Sequence, residues 1–272
     1  MEIMDIIREA FVFPSKNLEK LGIYIALLFV VSLLIGGGAL FSILSSFNAA
    51  YLAIIGLVMM IFGIVLSLVI SGYQVGVLKS GIDHADDAPS FDWKNDSLTG
   101  IKLLVVTVVY FIIPAIVVFI TGLATNLPGN LATVFSQASM VPANSTGFAL
   151  EAVSKSAMVS FGTSIAITSI VAMVLFIIFA FLHTMGESRL ANTGSLGEAL
   201  NIPEAFRDIK RIGAGKVIAT VLMIFIVVAV ISGIISYISG QVPQLSIISI
   251  IVTPYLAFFT QRAVGLLYSD IA

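Results

Sequence analysis

The chain contains no cysteine and very little charge, since only 10% of its 272 residues are Asp, Glu, Lys or Arg. The absence of cysteine excludes disulfides, thiolate zinc sites and cysteine catalysis. A soluble domain carries roughly a quarter charged residues, so this composition is not typical of one. The net charge of −2 provides no overall positive field, and we therefore expect no nucleic-acid partner.

The few charges leave long stretches without any Asp, Glu, Lys or Arg, the longest being Leu21–Leu78. A membrane-spanning helix needs ~20 apolar residues, and a charge at its centre costs ~3 kcal/mol on insertion. The sequence therefore predicts an all-α, polytopic transmembrane helical bundle. Its six predicted spans are Leu21–Leu44, Tyr51–Leu78, Ile101–Leu123, Thr163–Met185, Val217–Ser239 and Leu245–Leu267.

Basic residues are distributed asymmetrically about these spans, because every Lys and Arg except Lys155 falls on one side. Basic residues close to span ends resist translocation, so this side is predicted to be cytoplasmic, with both termini on it. We expect a single integral membrane domain, 1–272, in the cell membrane. Residues 79–100 and 186–215 are then cytoplasmic linkers, and 124–162 is an external loop, where Glu151 and Lys155 suggest a short helix.

Two amphipathic helices are predicted on the cytoplasmic surface. The first occupies the N-terminal segment, 1–18, where Ile3, Ile6, Ile7, Ala10 and Phe11 recur at helical spacing before Pro14. It is expected to lie along the membrane and to stop at Pro14.

The second amphipathic helix is predicted within the linker that ends at Gly215, after a short capped turn at Ser195. Ser195 and Glu198 have capping-box spacing, and Pro203 suits the first turn of a further helix. Phe206 and Ile209 are expected on one face of that helix. The opposite, polar face is expected to carry Arg207, Asp208, Lys210 and Arg211, with Gly213 and Gly215 ending the helix.

Basic residues of this helix are candidates for contact with lipid head groups: Arg207, Lys210, Arg211 and Lys216. Each base near an anionic membrane surface contributes ~1 kcal/mol to lipid binding. These residues also act as topology determinants, and both roles are compatible.

Ionisable residues near a span end form a second candidate site. His183 and Glu187 lie on one face of span four, where they favour a polar patch that sets helix depth over proton or metal chemistry. The acidic loop from Asp83 to Asp96 matches no calcium loop, so we expect no metal and no cofactor.

Prolines inside two spans suggest a third site. Pro114 and Pro254 each lie in the third span of a three-span half, and Thr253 precedes Pro254. Broken helices at matching positions are typical of inverted-repeat transporters. A parallel repeat competes with this interpretation. The two cytoplasmic linkers both end in Gly and Lys just before a span, at Gly100-Ile101-Lys102 and at Gly215-Lys216. Such a repeat favours a scaffold over a carrier.

Several short motifs resemble those of an archaeal multi-pass membrane family known as domain of unknown function 4013. They are Ala10-Phe11 with Pro14, Gly72-Tyr73 with Lys79, Pro89, Asp92-Trp93, Gly100 and Pro114, Ser195 to Leu200, Arg211-Ile212-Gly213, and Arg262 to Gly265. The resemblance covers most of the chain outside 124–162. It implies a helical fold in an archaeal cell membrane, and it implies no substrate, cofactor or catalytic residue.

These observations favour a non-enzymatic membrane component that is structural, lipid-associated or complex-forming, whose partners are lipids, copies of itself or other membrane proteins. This interpretation relies on the expected absence of a buried charge cluster. The alternative is a transporter or permease for a small or apolar solute, with its site near spans three and six. Of two glycosylation sequons, only the one at Asn144 is predicted to be external.

Overall fold

A computed structural model of the protein describes residues 1–46, 50–139 and 153–272. The described residues form α-helices and short turns, with no β-strand. Six of the helices in these described ranges are long and apolar enough to cross a membrane, which confirms the predicted all-α polytopic bundle.

The helices follow one another with short connections. They are α1 Ile3–Lys16, α2 Leu18–Leu44, α3 Tyr51–Ile82, α4 Trp93–Ala124, α5 Leu127–Ser139, α6 Lys155–Thr193, α7 Leu196–Ala199, α8 Ile202–Ile212, α9 Ala214–Gln241 and α10 Ile248–Tyr268. A 3₁₀ turn, Pro243–Ile247, joins α9 to α10. The spanning helices are α2, α3, α4, α6, α9 and α10.

Several boundaries differ from the predicted ones. Helix α4 begins at Trp93 rather than near Ile101, and α6 extends from Lys155 to Thr193, well beyond the predicted span at both ends. The predicted external loop contains the helix α5, which was not expected. Lys155 begins α6 and belongs to no separate short helix; Glu151 and Asn144 lie outside the described residues.

The prediction that Pro14 stops the N-terminal helix is wrong, because α1 continues through it to Lys16. Pro14 lies in the last turn of α1. Chain direction changes instead at Asn17, whose amide group is fully used: Nδ2 donates to the carbonyls of Phe13 and Asp86, and Oδ1 accepts from the backbone amide of Ala88 at 2.7 Å.

The described chain forms two compact units. Unit 1 comprises Met1–Val106 with His183–Ala272, and unit 2 comprises Thr107–Leu182. Whether residues 1–272 act as one membrane domain stays a prediction.

The core of unit 1 is concentrated where α1, the N-terminal end of α2 and the C-terminal ends of α3 and α10 meet. We call this the charged end, because Lys16, Lys20, Lys79 and Arg262 lie on these helix ends. Tyr24, Tyr73 and Phe258 are almost completely buried there, and the Tyr73 ring stacks on Phe91 at 3.7 Å. Since the remaining faces of these helices expose large apolar side chains, they suit contact with lipid tails.

Glycines allow helices of unit 1 to touch at their backbones. A Cβ on Gly72 would lie 1.8 Å from the carbonyl oxygen of Asp96, and one on Gly265 would lie 2.1 Å from that of Leu78. Helices α3 and α4 therefore meet at Gly72, and α3 and α10 meet at Gly265, as small residues permit in membrane proteins. Gly38 approaches Gly56 in the same way between α2 and α3.

In unit 2, the packing beside α5 depends on a small apolar cluster and on hydroxyl contacts. Val134, Val153 and Ala157 form the cluster. Ser164 donates to the carbonyl of Thr125 at 2.7 Å and accepts from Asn130 Nδ2 at 2.7 Å. These bonds satisfy the last turn of α4 and fix α5 against α6.

Candidate functional site

The basic residues of α8 form one exposed face of a well-capped helix. Asn201 accepts from the backbone amide of Glu204 at the start, and Gly213, at φ +103°, ends the helix in a conformation that favours glycine. The side chain of Arg207 is 62% exposed and that of Arg211 is 56% exposed. The helix and its end at Gly213 were therefore predicted correctly, whereas Gly215, also predicted to end it, lies in α9.

The faces of α8 differ from the prediction in two positions. Phe206 is 51% exposed and lies beneath the Lys210 ammonium, 4.6 Å from its ring centre, so it shares the basic face. Ala205 and Asp208 form the buried face, and Asp208 is only 1% exposed. Thus Arg207, Lys210 and Arg211 lie together, whereas Lys216 is on α9 and pairs with Asp270 after α10.

Asp208 is the centre of a buried ionic network, which corrects its predicted place on the polar face. Its carboxylate accepts from Arg189 Nη1 at 2.8 Å, from Arg211 Nη1 at 3.1 Å and from the Tyr268 hydroxyl at 3.1 Å. Arg189 also pairs with Glu198, whose carboxylate therefore does not complete the predicted capping box, although Ser195 does cap Glu198. The network connects α6, α8 and α10.

A second buried charge is Arg262 of α10, which in the sequence stood out only as a topology-determining base and as part of a family motif. It is 2% exposed. Its guanidinium donates to the carbonyls of Ser80 at 2.7 Å and Ala85 at 2.6 Å, and to the Glu9 carboxylate at 2.6 Å. The expectation of no buried charge cluster is therefore wrong at two places. The signal that could have identified this one is a lone arginine following the uncharged stretch that ends at Gln261.

The contacts of Arg262 explain why α1 is attached to the protein. The buried apolar residues of α1, Ile6, Ile7 and Ala10, face other helices of unit 1 rather than forming an exposed membrane-binding face. The Phe11 ring packs edge-on against Tyr255, whose hydroxyl donates to the Phe11 carbonyl at 2.6 Å. Helix α1 is thus docked on α10.

The predicted polar patch of α6 contacts α10. Glu187 accepts a hydrogen bond from Gln261 Nε2 at 3.1 Å, one helical turn beyond His183. Gln261 faces a recess in unit 1, so the patch lies beside that recess rather than on an open helix end.

The predicted helix breaks are absent, because α4 continues through Pro114 and α10 continues through Pro254. The two prolines lie in different units. Thr253 lies on a recess of about 270 Å³ between α3, α9 and α10, which we call the α9–α10 recess. Its polar lining consists of Gln74, Ser232, Thr253, Thr260 and Gln261, and its apolar lining of Val228, Leu256 and Ala257.

The acidic loop has a structural role. Asp92 accepts from the backbone amides of Lys94 and Asn95 and from the Asn95 side chain, while Asp96 accepts from the Asp92 amide at 2.9 Å. These bonds cap α4. Within the described ranges, no group of three or more Asp, Glu, His or Cys residues is arranged to hold a metal ion.

Comparison with known proteins gives one positive result. No curated protein and no solved structure matches the chain. A family model described as "Protein of unknown function (DUF4013)" matches residues 55–240, from α3 to the end of α9. This match covers more than half of the 272 residues and confirms the family that the sequence motifs indicated. The chain therefore belongs to the DUF4013 family.

Proposed function

We propose that this protein is a non-enzymatic, multi-pass component of the cell membrane that associates with anionic lipids through α8. In this proposal the charged end faces the cytoplasm and both termini lie there. Every Lys and Arg except Lys155 is on that side of the predicted spans. Copies of itself or other membrane proteins are further proposed partners.

The single observation that carries the lipid proposal is the composition of the exposed face of α8. It combines Phe206, 51% exposed, with Arg207, Lys210 and Arg211. An aromatic ring among basic side chains suits a membrane surface, because the ring enters the acyl boundary while the charges reach lipid phosphates. The pairings of Arg207 and Arg211 with Glu204 lie at the surface, and such pairs contribute only ~0–1 kcal/mol, so they do not prevent lipid contact. Arg211 also donates to the buried Asp208, but its side chain stays 56% exposed.

The lipid proposal is tested with the full chain in nanodiscs of phosphatidylcholine alone or mixed with phosphatidylglycerol. We expect the anionic lipid to raise the melting temperature of the wild type. Changing Arg207, Lys210 and Arg211 together to Gln should remove most of that increase, since three bases contribute ~3 kcal/mol at the membrane surface.

The matched control changes the same number of basic residues outside α8, namely Lys16, Lys20 and Lys94, also to Gln. The control should retain more of the increase than the α8 variant. An equal loss in both variants would show that only total charge matters, and the assignment to α8 would then be incorrect.

The proposed orientation is tested separately by cysteine labelling, because the chain has no native cysteine. In sealed cells, an impermeant maleimide should label Lys155→Cys but not Lys94→Cys. Labelling of Lys94→Cys alone would reverse the orientation, and labelling of both would contradict the predicted crossing between the two positions and hence the six-span topology.

A permease remains the second candidate because Thr253 lies on the α9–α10 recess. That recess provides a polar surface along helices that are otherwise apolar, which transport of a solute requires. Solute flux into proteoliposomes distinguishes this candidate from a lipid-associated component.

A further inference from the structure

The hydrogen-bonding groups of the α9–α10 recess lie part-way along the spanning helices, away from the helix ends. Along α10, Gln261 lies about 10 Å and Thr253 about 22 Å from the end of the helix at Tyr268, at 1.5 Å per residue. A hydrocarbon layer is ~30 Å thick, so the recess lies within the membrane if α10 crosses it.

The hydroxyl groups of this recess have no hydrogen-bond partner among the residues that the structure describes. Within the described part of the chain, the hydroxyls of Ser232, Thr253 and Thr260 make no hydrogen bond. Elsewhere in the bundle, the hydroxyls of Ser42 and Ser71 donate to carbonyls one turn earlier in their own helices, at 2.9 Å. A hydroxyl in an apolar environment without a partner is destabilising, so these three groups favour a polar occupant.

The two amide side chains of the recess also keep unused capacity. Gln74 donates to the Tyr24 hydroxyl, and Gln261 donates to Glu187. Each amide has two donor hydrogens and a carbonyl oxygen, so each retains one donor and an acceptor after these bonds. The same bonds hold both amides in place, which orients the remaining groups.

The polar face continues beyond the recess. On α9, Ser236 and Ser239 lie on the same helical face as Ser232, and on α10 Ser249 lies one turn before Thr253. Hydroxyl-bearing residues therefore follow both helices from the recess towards the connection at Pro243–Ile247. This direction leads away from the charged end.

The lining determines the chemical class of the occupant. None of the described residues that line the recess is charged, so a phosphate group would lack a counter-ion there. Glu187 is not part of the lining and already accepts a hydrogen bond from Gln261, so an ammonium group in the recess would meet the Gln261 amide rather than that carboxylate. Hydroxyl and amide groups that both donate and accept are matched by the hydroxyls of an uncharged polyol. Val228, Leu256 and Ala257 provide an apolar wall beside them.

From this geometry we infer that the α9–α10 recess binds an uncharged polyol group, either a free polyol or the hydroxylated head of a neutral lipid. Binding is independent of the basic face of α8. It pairs the hydroxyls of Ser232, Thr253 and Thr260 with the hydroxyls of the ligand.

The first arm of the test uses monooleoylglycerol, which carries two free hydroxyls, and the full chain in nanodiscs. Methyl oleate, with the same acyl chain and no hydroxyl, is the matched probe. Titration followed by thermal unfolding should show stabilisation by monooleoylglycerol only. Changing Thr253 and Thr260 together to Val keeps their shape and should weaken binding about tenfold or more, as expected for two lost hydrogen bonds.

The control variant changes Ser67 and Ser71 to Ala, because both hydroxyls donate within α3 and do not line the recess. It should bind monooleoylglycerol like the wild type. Without ligand, the double Val variant should be at least as stable as the wild type, because it loses hydroxyls that have no partner; this comparison separates lost binding from misfolding.

The second arm measures free glycerol flux into proteoliposomes by light scattering after an osmotic shift. Flux above that of protein-free vesicles, reduced in the double Val variant, identifies a free polyol as the ligand. Hydroxyl-dependent binding of monooleoylglycerol without glycerol flux identifies a lipid head. The inference is overturned if neither arm depends on Thr253 and Thr260, or if methyl oleate binds as tightly as monooleoylglycerol.

Discussion

Replacing Arg262 by Met tests whether the docking of α1 on α10 depends on one buried cation. The side chain is 2% exposed and contacts three oxygens, those of Ser80, Ala85 and Glu9, at 2.6–2.7 Å. Its guanidinium also lies 4.4 Å from the centre of the Phe13 ring. Met fills similar volume but supplies no donor.

The magnitude follows from the groups left behind. Two carbonyls lose charged donors, at ~1–3 kcal/mol each, and breaking a buried ion pair typically costs ~3–5 kcal/mol. Since Glu9 is 38% exposed, its carboxylate can reach water after the change, so we expect a total of about 3–5 kcal/mol rather than more. Glu9→Gln keeps both carbonyl contacts and should cost less, about 1–3 kcal/mol.

Denaturant titration of the purified chain in mixed micelles measures these losses in unfolding free energy. A double-mutant cycle with both changes should show coupling between Glu9 and Arg262, because their ion pair needs both groups. The exposed Lys94→Met variant is the control and should change stability little. If Arg262→Met were no more destabilising than this control, the assignment of Arg262 as the residue that anchors α1 would be refuted.

Two other predictions concern helix contact and pH. Gly265→Ala should destabilise the protein by about 1–3 kcal/mol in the same titration, because the added Cβ would lie 2.1 Å from the α3 backbone. Gly22→Ala is the control and should be neutral or stabilising, because a Cβ there would have nothing within 4 Å. Equal effects of the two changes would contradict backbone contact at Gly265. Partial burial is the largest single influence on Asp270 and opposes its ionisation, but the hydrogen bonds and charges of Lys216 and of the N-terminal ammonium together outweigh it and hold the pKa of Asp270 below its usual range. The stabilisation that ionised Asp270 gives the folded protein should therefore be fully present above the pKa of Asp in the unfolded chain, about 4, and should be lost as the pH falls through the lower pKa in the folded protein. Melting curves of the wild type should lose stability in that acidic range relative to Asp270→Asn, and parallel pH profiles would show that this pairing contributes nothing.

The sequence predicted the regular structure well where local chemistry decides it. The six long helices follow from apolar stretches without charge, and α8 follows from Pro203 in its first turn and Gly213 at its end. Errors occurred where local rules conflict with packing. Pro14 is compatible with the last turn of α1, and the faces of α8 were assigned without knowing that Asp208 has partners on α6 and α10.

The candidate sites were less predictable. The sequence indicated the basic residues of α8, because amphipathic spacing is local, and it singled out Thr253 only through its neighbour Pro254. It did not indicate that Ser232, Thr260 and Gln261 lie on the same recess, since periodicity on one helix does not specify which neighbouring helix it faces.

By itself, the sequence determined that this is a membrane protein with six long apolar helices, because hydrocarbon excludes charge over a fixed length. Only the tertiary structure decided which charges and hydroxyls are buried and what they contact. The physical reason is distance along the chain: Glu9 and Arg262 are 253 residues apart, and no local pattern encodes a pairing that exists only after the helices pack.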